Sequence, residues 1–225
     1  MAAPQPGRPP ATGAGLQRER RTSAEVRAAL IGAAAERFAQ HGVARTTTKE
    51  IAEAAGVAET ALFRHFGSKT ELFREAVVGP FARFADEYAQ RWWPLLDEPA
   101  SNESILRAFM EDFYDQLHEN RDAVRALLLA HGDPAAADAV AEGQRHFTDL
   151  FQSLTALAET WSTRSDGMKP VFTDNLTSRF IVGMLMLFTT FDWWFVPPGE
   201  EPVSKAKVVD VMAGMVIPGL SYDTD

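Results

Sequence analysis

The sequence predicts an all-α protein in which a small N-terminal three-helix head joins a larger helical body. Three observations lead there. Apolar residues recur at helical spacing throughout, and no stretch alternates as a strand would. Helix start and stop signals crowd residues 23–80 and thin out beyond them. Charge and aromatic content divide at nearly the same place. Residues 1–70 hold ten Lys or Arg against six Asp or Glu, with Phe38, Phe63 and Phe66 as their aromatics. Residues 71–225 hold twelve against twenty-five, with all five Trp and all three Tyr. A basic head on an acidic body can meet a polyanion through one face while the body is repelled from it. Bulky aromatics belong to cores, pockets and interfaces.

Composition narrows the function classes. With 225 residues, 46% hydrophobic and 24% charged, the chain is an ordinary globular protein. The absence of Cys removes disulfides, thiolate zinc sites and cysteine nucleophiles, and fits a reducing cytoplasm. Residues 1–22 contain Pro and Gly where a signal peptide needs an apolar core, so they are expected to form a disordered basic arm. The apolar run Phe180 to Val196 contains Asp192 and is shorter than the ~20 residues of a bilayer span, so no membrane association is expected.

Taken in order, Val26, Leu30, Ala33, Ala34 and Phe38 make one helix that stops at His41-Gly42, where glycine can take the left-handed cap. Thr47-Thr48-Lys49-Glu50 reads as a capping box opening a short helix, with Ile51, Ala54 and Ala55 as its buried side and Gly56 as its end. After the turn at Val57, Leu62 and Phe66 form the apolar stripe of a third helix whose other face shows Glu59, Thr60, Phe63 and Arg64. Two short helices across a tight glycine turn constitute a helix-turn-helix. Ser68-Lys69-Thr70-Glu71 is a second capping box, opening a helix that Gly79-Pro80 could break. The head therefore spans 23–80 and the body 81–225.

In the body, a helical stretch runs to Trp92-Trp93-Pro94. Ser101 to Asn120 then places Leu106, Phe109, Met110, Phe113 and Leu117 on one face and Glu111, Asp112, Asp115 and Glu119 largely on the other, the acidic side reading as solvated. Arg121 to His131 is a short apolar helix, and Asp133-Pro134 opens a long one towards Trp161. Residues 163–169 read as a loop. Two final helices are expected over Val171–Phe195 and Ser204–Ile217, separated by Pro197-Pro198-Gly199. Their apolar residues exceed what one buried face needs. Phe172, Leu176 and Met184 on one helix, with Val208, Val211, Met212 and Met215 on the other, are therefore expected to form a homodimer interface. Trp92, Phe109, Phe113, Phe147, Phe151 and Phe180 are candidates to line a cavity for a small lipophilic effector, with Tyr114 or His118 as a polar handle.

The stretch TTTKEIAEAAGVAETALFRHFGSKTELF, Thr46 to Phe73, with AAAERFAQHGVART upstream, resembles the TetR family of helix-turn-helix transcriptional regulators. The resemblance rests on the ordered set Phe38 to Gly42, the Thr run, Ile51-Ala52, Ala55-Gly56-Val57, Leu62, Phe63, His65-Phe66 and Lys69 with Leu72. It implies a dimer that binds a double-stranded DNA operator. It also implies phosphate contacts from Thr47 or Thr48, His65 and Lys69, and base-edge contacts from Thr60, Phe63 and Arg64 in the major groove. Ala58, Phe63 and Glu59 depart from the family's frequent serine, tyrosine and basic residue.

The expected function is a repressor released from a palindromic operator by a small lipophilic ligand, with no cofactor and no metal. A ligand-independent DNA-binding regulator is the first alternative. An enzyme in the helical body is the second, against which stands the lack of a nucleophile beside a base, of a glycine-rich cradle and of a ligand cluster. Gly67-Ser68-Lys69-Thr70 resembles the end of a phosphate-binding loop but lacks its upstream glycines. Arg18, Arg20 and Arg21 could enter a minor groove or form part of a solvated tail.

Overall fold

The computed structural model describes residues 21–92, 101–164 and 175–220, all of them helical or connecting, with no strand among them. The head holds α1 (Ser23–Arg45), α2 (Thr48–Ala55) and α3 (Glu59–Phe66), followed by α4 (Lys69–Phe73). A π-helical turn, Arg74–Val78, leads directly into α5 (Gly79–Trp92). The body adds α6 (Asn102–Glu119), α7 (Arg121–Ala130), α8 (Ala137–Arg164), α9 (Asn175–Thr190), α10 (Asp192–Phe195) and α11 (Lys205–Leu220). No helix among the described residues is long and apolar enough to cross a membrane.

The head's boundaries follow local chemistry. Thr22 and Thr47 each close a full capping box, with Glu25 and Glu50 respectively. Amide and hydroxyl bonds from Thr22 and Thr47 hold the Glu25 and Glu50 carboxyls below the usual carboxylate range. Their caps are present above the ordinary carboxylate pKa and are lost as pH falls through the depressed value. Gly56 has φ 67°, so its amide and that of Val57 turn back onto the carbonyls that end α2. Gly42, at φ 74°, bends α1, which makes one more turn to Arg45 instead of stopping. On α2 the buried residues are Ile51, Ala52 and Ala55, and the expected Ala54 is exposed, because α1 and α3 together cover a face centred one residue earlier.

Gly79-Pro80 does not break the helix that runs from the head into the body. Gly79 is helical and its amide donates to the Arg74 carbonyl, five residues back. Proline lacks the N–H that would close the next regular turn. The widened π register absorbs that loss, and α4 and α5 remain one continuous rod from head to body.

Two apolar cores result. The head core gathers Leu30, Phe38, Ile51, Leu62, Leu72 and Phe73, and extends to Ala126, Ala130, Ala136 and Ala139 from α7, the turn after it and the start of α8. The body core is built on Phe81, Met110, Phe113, Leu150, Ile181, Leu185, Val209 and Met212. Leu127 packs against both. The seam between them is further tied by the Asp133 carboxylate, which accepts from the Ala44 amide at 3.1 Å, and by Arg74 paired with Glu142 at 2.7 Å.

Both α9 and α11 pack on α6. On α11 the buried face is Val208, Val209, Met212 and Ala213, while Val211 and Met215 are 47% and 59% exposed. The seam thus splits the set Val208, Val211, Met212 and Met215 expected at one interface, since neighbours i, i+1, i+4 and i+5 form one broad face. Val208 and Met212, expected at a dimer interface, belong to the protomer's own core. Asp210 is held by Arg107 at 2.5 Å and Lys205 by Asp115 at 2.8 Å, which pins α11 onto α6. On α9, Ile181, Val182 and Leu185 are buried, Met184 is half-buried, and Leu176, Phe180 and Leu187 face outward. Phe172 lies outside the described residues.

Candidate functional site

α2 and α3 meet across the Gly56 turn and present one face outward. Thr60, Phe63 and Arg64 are exposed on α3, Phe63 at 46%, while Leu62 and Phe66 on the opposite side are buried. The α3 spacing alone accounts for this, because residues 60, 63 and 64 share a face turned away from 62 and 66. Arg64 has no carboxylate partner among the described residues, which leaves its guanidinium fork available to an external acceptor.

The residues expected to touch phosphate are engaged locally in ways that periodicity does not reveal. The Thr47 hydroxyl caps the Glu50 amide and donates to its carboxylate at 2.7 Å. The Thr48 hydroxyl donates to Glu59 at 2.5 Å, so Glu59 ties the start of α3 to the start of α2. First-turn amides have no partner within their own helix and remain the natural donors to an anion there. His65 has a buried Nε2 with no hydrogen-bond partner, which leaves the other edge of its ring for any phosphate. Lys69 donates from Nζ to the carbonyls of Val43 and Thr46, at 2.8 and 3.1 Å, and so clamps the α1–α2 connection. Arg21 donates to the Ala55 carbonyl at 2.9 Å, capping α2, whereas Arg18 and Arg20 lie outside the described residues.

The body divides the expected aromatic pocket among three places. Phe113 and Phe147, with Phe81, Phe84 and His146, surround a small cavity of about 10 Å³, room for about one water. Phe147 and Phe151 also wall an apolar groove of about 340 Å³ with Phe81, Leu127, Leu128 and Met186, at whose edge stands Arg179. Tyr114 and His118, rings stacked at 5.8 Å, border a third cavity of about 320 Å³ together with Phe188, Asp192 and Lys205. Burial, with Asp192 and Asp115 adding to it, pushes the Tyr114 phenol up. Phe109 is a core residue, and Phe180 is 63% exposed and does not line these cavities. The Trp92 side chain lies outside what the structure describes. Sequence reasoning missed Phe81, Leu127, Leu128 and Arg179. For Arg179 a signal existed, because it is the single charged residue of α9.

No group of three or more His, Cys, Asp or Glu that could hold a metal occurs among the described residues.

Comparison with known proteins bears directly on this geometry. Residues 30–76 match the family model of bacterial regulatory proteins, tetR family. The head is a TetR-family domain. That match covers α3 and its turn, so the exposed face of Thr60, Phe63 and Arg64 is the second helix of a TetR-family helix-turn-helix. The transcriptional regulator TtgR of Pseudomonas putida is 46% identical over 57 residues, 25% of this chain and 27% of TtgR. The chain thus spans about a quarter of that relative's length. Whole-chain likeness is structural. The TetR-family regulator PfmR of Thermus thermophilus aligns at a TM-score of 0.65 and 21% identity, over 86% of this chain and 99% of PfmR. AibR, in a crystal structure with isovaleryl coenzyme A and operator DNA, aligns at a TM-score of 0.58 and 19% identity, over 84% and 97% of the two chains. The all-α arrangement of helix-turn-helix head and larger helical body is the TetR-family fold.

Proposed function

We propose that the protein is a sequence-specific DNA-binding transcriptional regulator of the cytoplasm, a homodimeric repressor that leaves a palindromic operator when a small lipophilic ligand enters its body. The observation that carries this reading is the α3 face, where Thr60, Phe63 and Arg64 stand exposed within a TetR-family helix-turn-helix. Arg64 can take guanine through two donors, and Phe63 can lie against a thymine methyl. Thr47, Thr48, His65 and Lys69 would position the head on phosphate, mainly through first-turn amides and the remaining Lys69 donor. Residues 23–80 act as the DNA-binding unit and 81–225 as the sensing and dimerising unit.

The ligand is best placed in the groove beside Phe81, Phe147 and Phe151. The groove is walled by α7, which packs on the head, and by the first turn of α5, which continues the rod begun at Lys69. On α7, Leu127 and Leu128 face the groove while Ala126 and Ala130 pack into the head core. A ligand releases DNA only by binding better to a state whose heads are wrongly spaced. A ligand wedged between Leu127 and Phe81 would move both α7 and the rod that begins at Lys69. That AibR crystallises with both an acyl-coenzyme A and its operator supports ligand control in a protein of this fold. No catalytic activity is proposed for the body.

Selection from random duplex DNA tests the reading. Arg64→Ala should relax base preference at one position, at a cost of about 1–3 kcal/mol. Lys69→Ala should weaken all sequences alike and also lower the melting temperature, because two carbonyls lose their donor. An unchanged preferred site in Arg64→Ala would overturn the assignment of α3.

A further inference from the structure

We infer that the groove takes an amphipathic anion, an apolar chain or ring bearing one carboxylate, with Arg179 as its counter-ion. This rests on the reading of that groove as the effector site. Arg179 rises from α9 at the groove's edge, its guanidinium carbon 5.0 Å from the centre of the Phe151 ring. Stacking on an aromatic face fixes the plane of the guanidinium and leaves its donor edges free. No carboxylate pairs with it among the described residues. Elsewhere in the chain, by contrast, Arg74, Arg107 and Arg125 each hold an Asp or Glu. The rest of the wall is apolar, supplied by Phe81, Leu127, Phe147, Val182 and Met186.

The arrangement sorts ligands by class. A neutral lipid would fill the apolar wall but leave the cation unpaired at its rim. A cationic amphiphile would bring like charge to Arg179. A carboxylate can accept two parallel N–H bonds from the guanidinium while its chain lies on the phenyl rings. Because residues 71–225 carry twelve basic against twenty-five acidic side chains, the body's average field repels anions. A dedicated cation is what would let one enter. Arg179 is exposed, so replacing it does not disturb the core.

Titration calorimetry of the full-length protein with decanoate, decanol and decyltrimethylammonium tests the inference, alongside sedimentation and operator-binding assays of the same samples. Decanoate should bind best. Arg179→Gln should weaken decanoate about 10- to 100-fold, the loss expected for a charge-assisted bond, leave decanol within about twofold, and keep the oligomeric state. Arg179→Lys should recover part of the loss. Three outcomes overturn the inference: decanol binding as tightly as decanoate, Arg179→Gln leaving decanoate affinity unchanged, or no decanoate binding at all. A fourth is dissociation of the dimer by Arg179→Gln, which would mean that a second copy of the chain covers the groove. Arg179-dependent decanoate binding that leaves operator affinity unchanged would uphold the ligand class while removing the effector reading, so the two fail separately.

Discussion

Val211→Arg is expected to give a folded monomer that no longer holds a palindromic operator. Val211 is 47% exposed on the protomer, so a longer polar side chain there meets water and not the core. The same position sits in an outward apolar surface made by Val211 and Met215 on α11 and by Leu176, Phe180 and Leu187 on α9. A Cβ built on either Gly183 or Gly214 meets no atom within 4 Å, so both helices could let a partner's backbone come close. A twofold partner laid across this surface would cover both helices with one self-complementary contact. Arg in its centre would be buried without a counter-charge, at a cost of several kcal/mol. Two heads set about 34–36 Å apart bind two half-sites together. Separating them forfeits an effective-concentration gain of about 10²–10⁴ in affinity. Sedimentation at micromolar concentration and operator titration would read both effects. A still-dimeric Val211→Arg protein, or a monomeric unsubstituted one, would remove α9 and α11 from the interface.

Phe38→Ala should be the most damaging single truncation of the head. Its ring is fully buried and meets Phe73 edge-on, with centroids 5.3 Å apart. The pair joins α1 to α4 at the place where α7 also enters the core. Truncating a buried Phe costs about 3–5 kcal/mol, from lost transfer energy and the cavity left behind. For a chain of this size that corresponds to a fall in melting temperature of about 6–20 °C. Calorimetry would measure it, with Phe180→Ala as the contrast. That residue is 63% exposed and should change the melting temperature little unless the dimer dissociates. A fall of under about 2 °C for Phe38→Ala would mean that this contact is not a keystone of the head.

Much of the head was legible in the sequence because its signals are local. A threonine three residues before a glutamate, or a glycine after an apolar run, states its own conformation within one turn of chain. Glu59 was not legible in this way, since its partner Thr48 lies eleven residues away across the Gly56 turn. Nor was the clamp made by Lys69, whose two carbonyl partners are more than twenty residues upstream. The groove was hidden for the same reason on a larger scale. Phe81, Leu127, Phe147 and Val182 come from four helices, and only packing decides which apolar residues line a void and which fill one. On α11, periodicity identified an excess of apolar residues but could not place the seam. That is why Val208 and Met212 turn inward while Val211 and Met215 do not.

The sharing of the head core with Ala126, Ala130, Ala136 and Ala139 makes the proposed DNA-reading unit poorly portable. A chimera cut at residue 80 would carry α1 with one flank bare, its small-residue partner left behind in the donor. Transplanting this specificity onto another scaffold would require either moving residues 121–139 with the head or choosing a recipient whose matching helix presents alanines at the same four points. The same constraint ties recombination to regulation. An exchange that keeps the head folded by moving residues 121–139 also imports one wall of the groove, so by that route operator choice and ligand response are inherited as a single block.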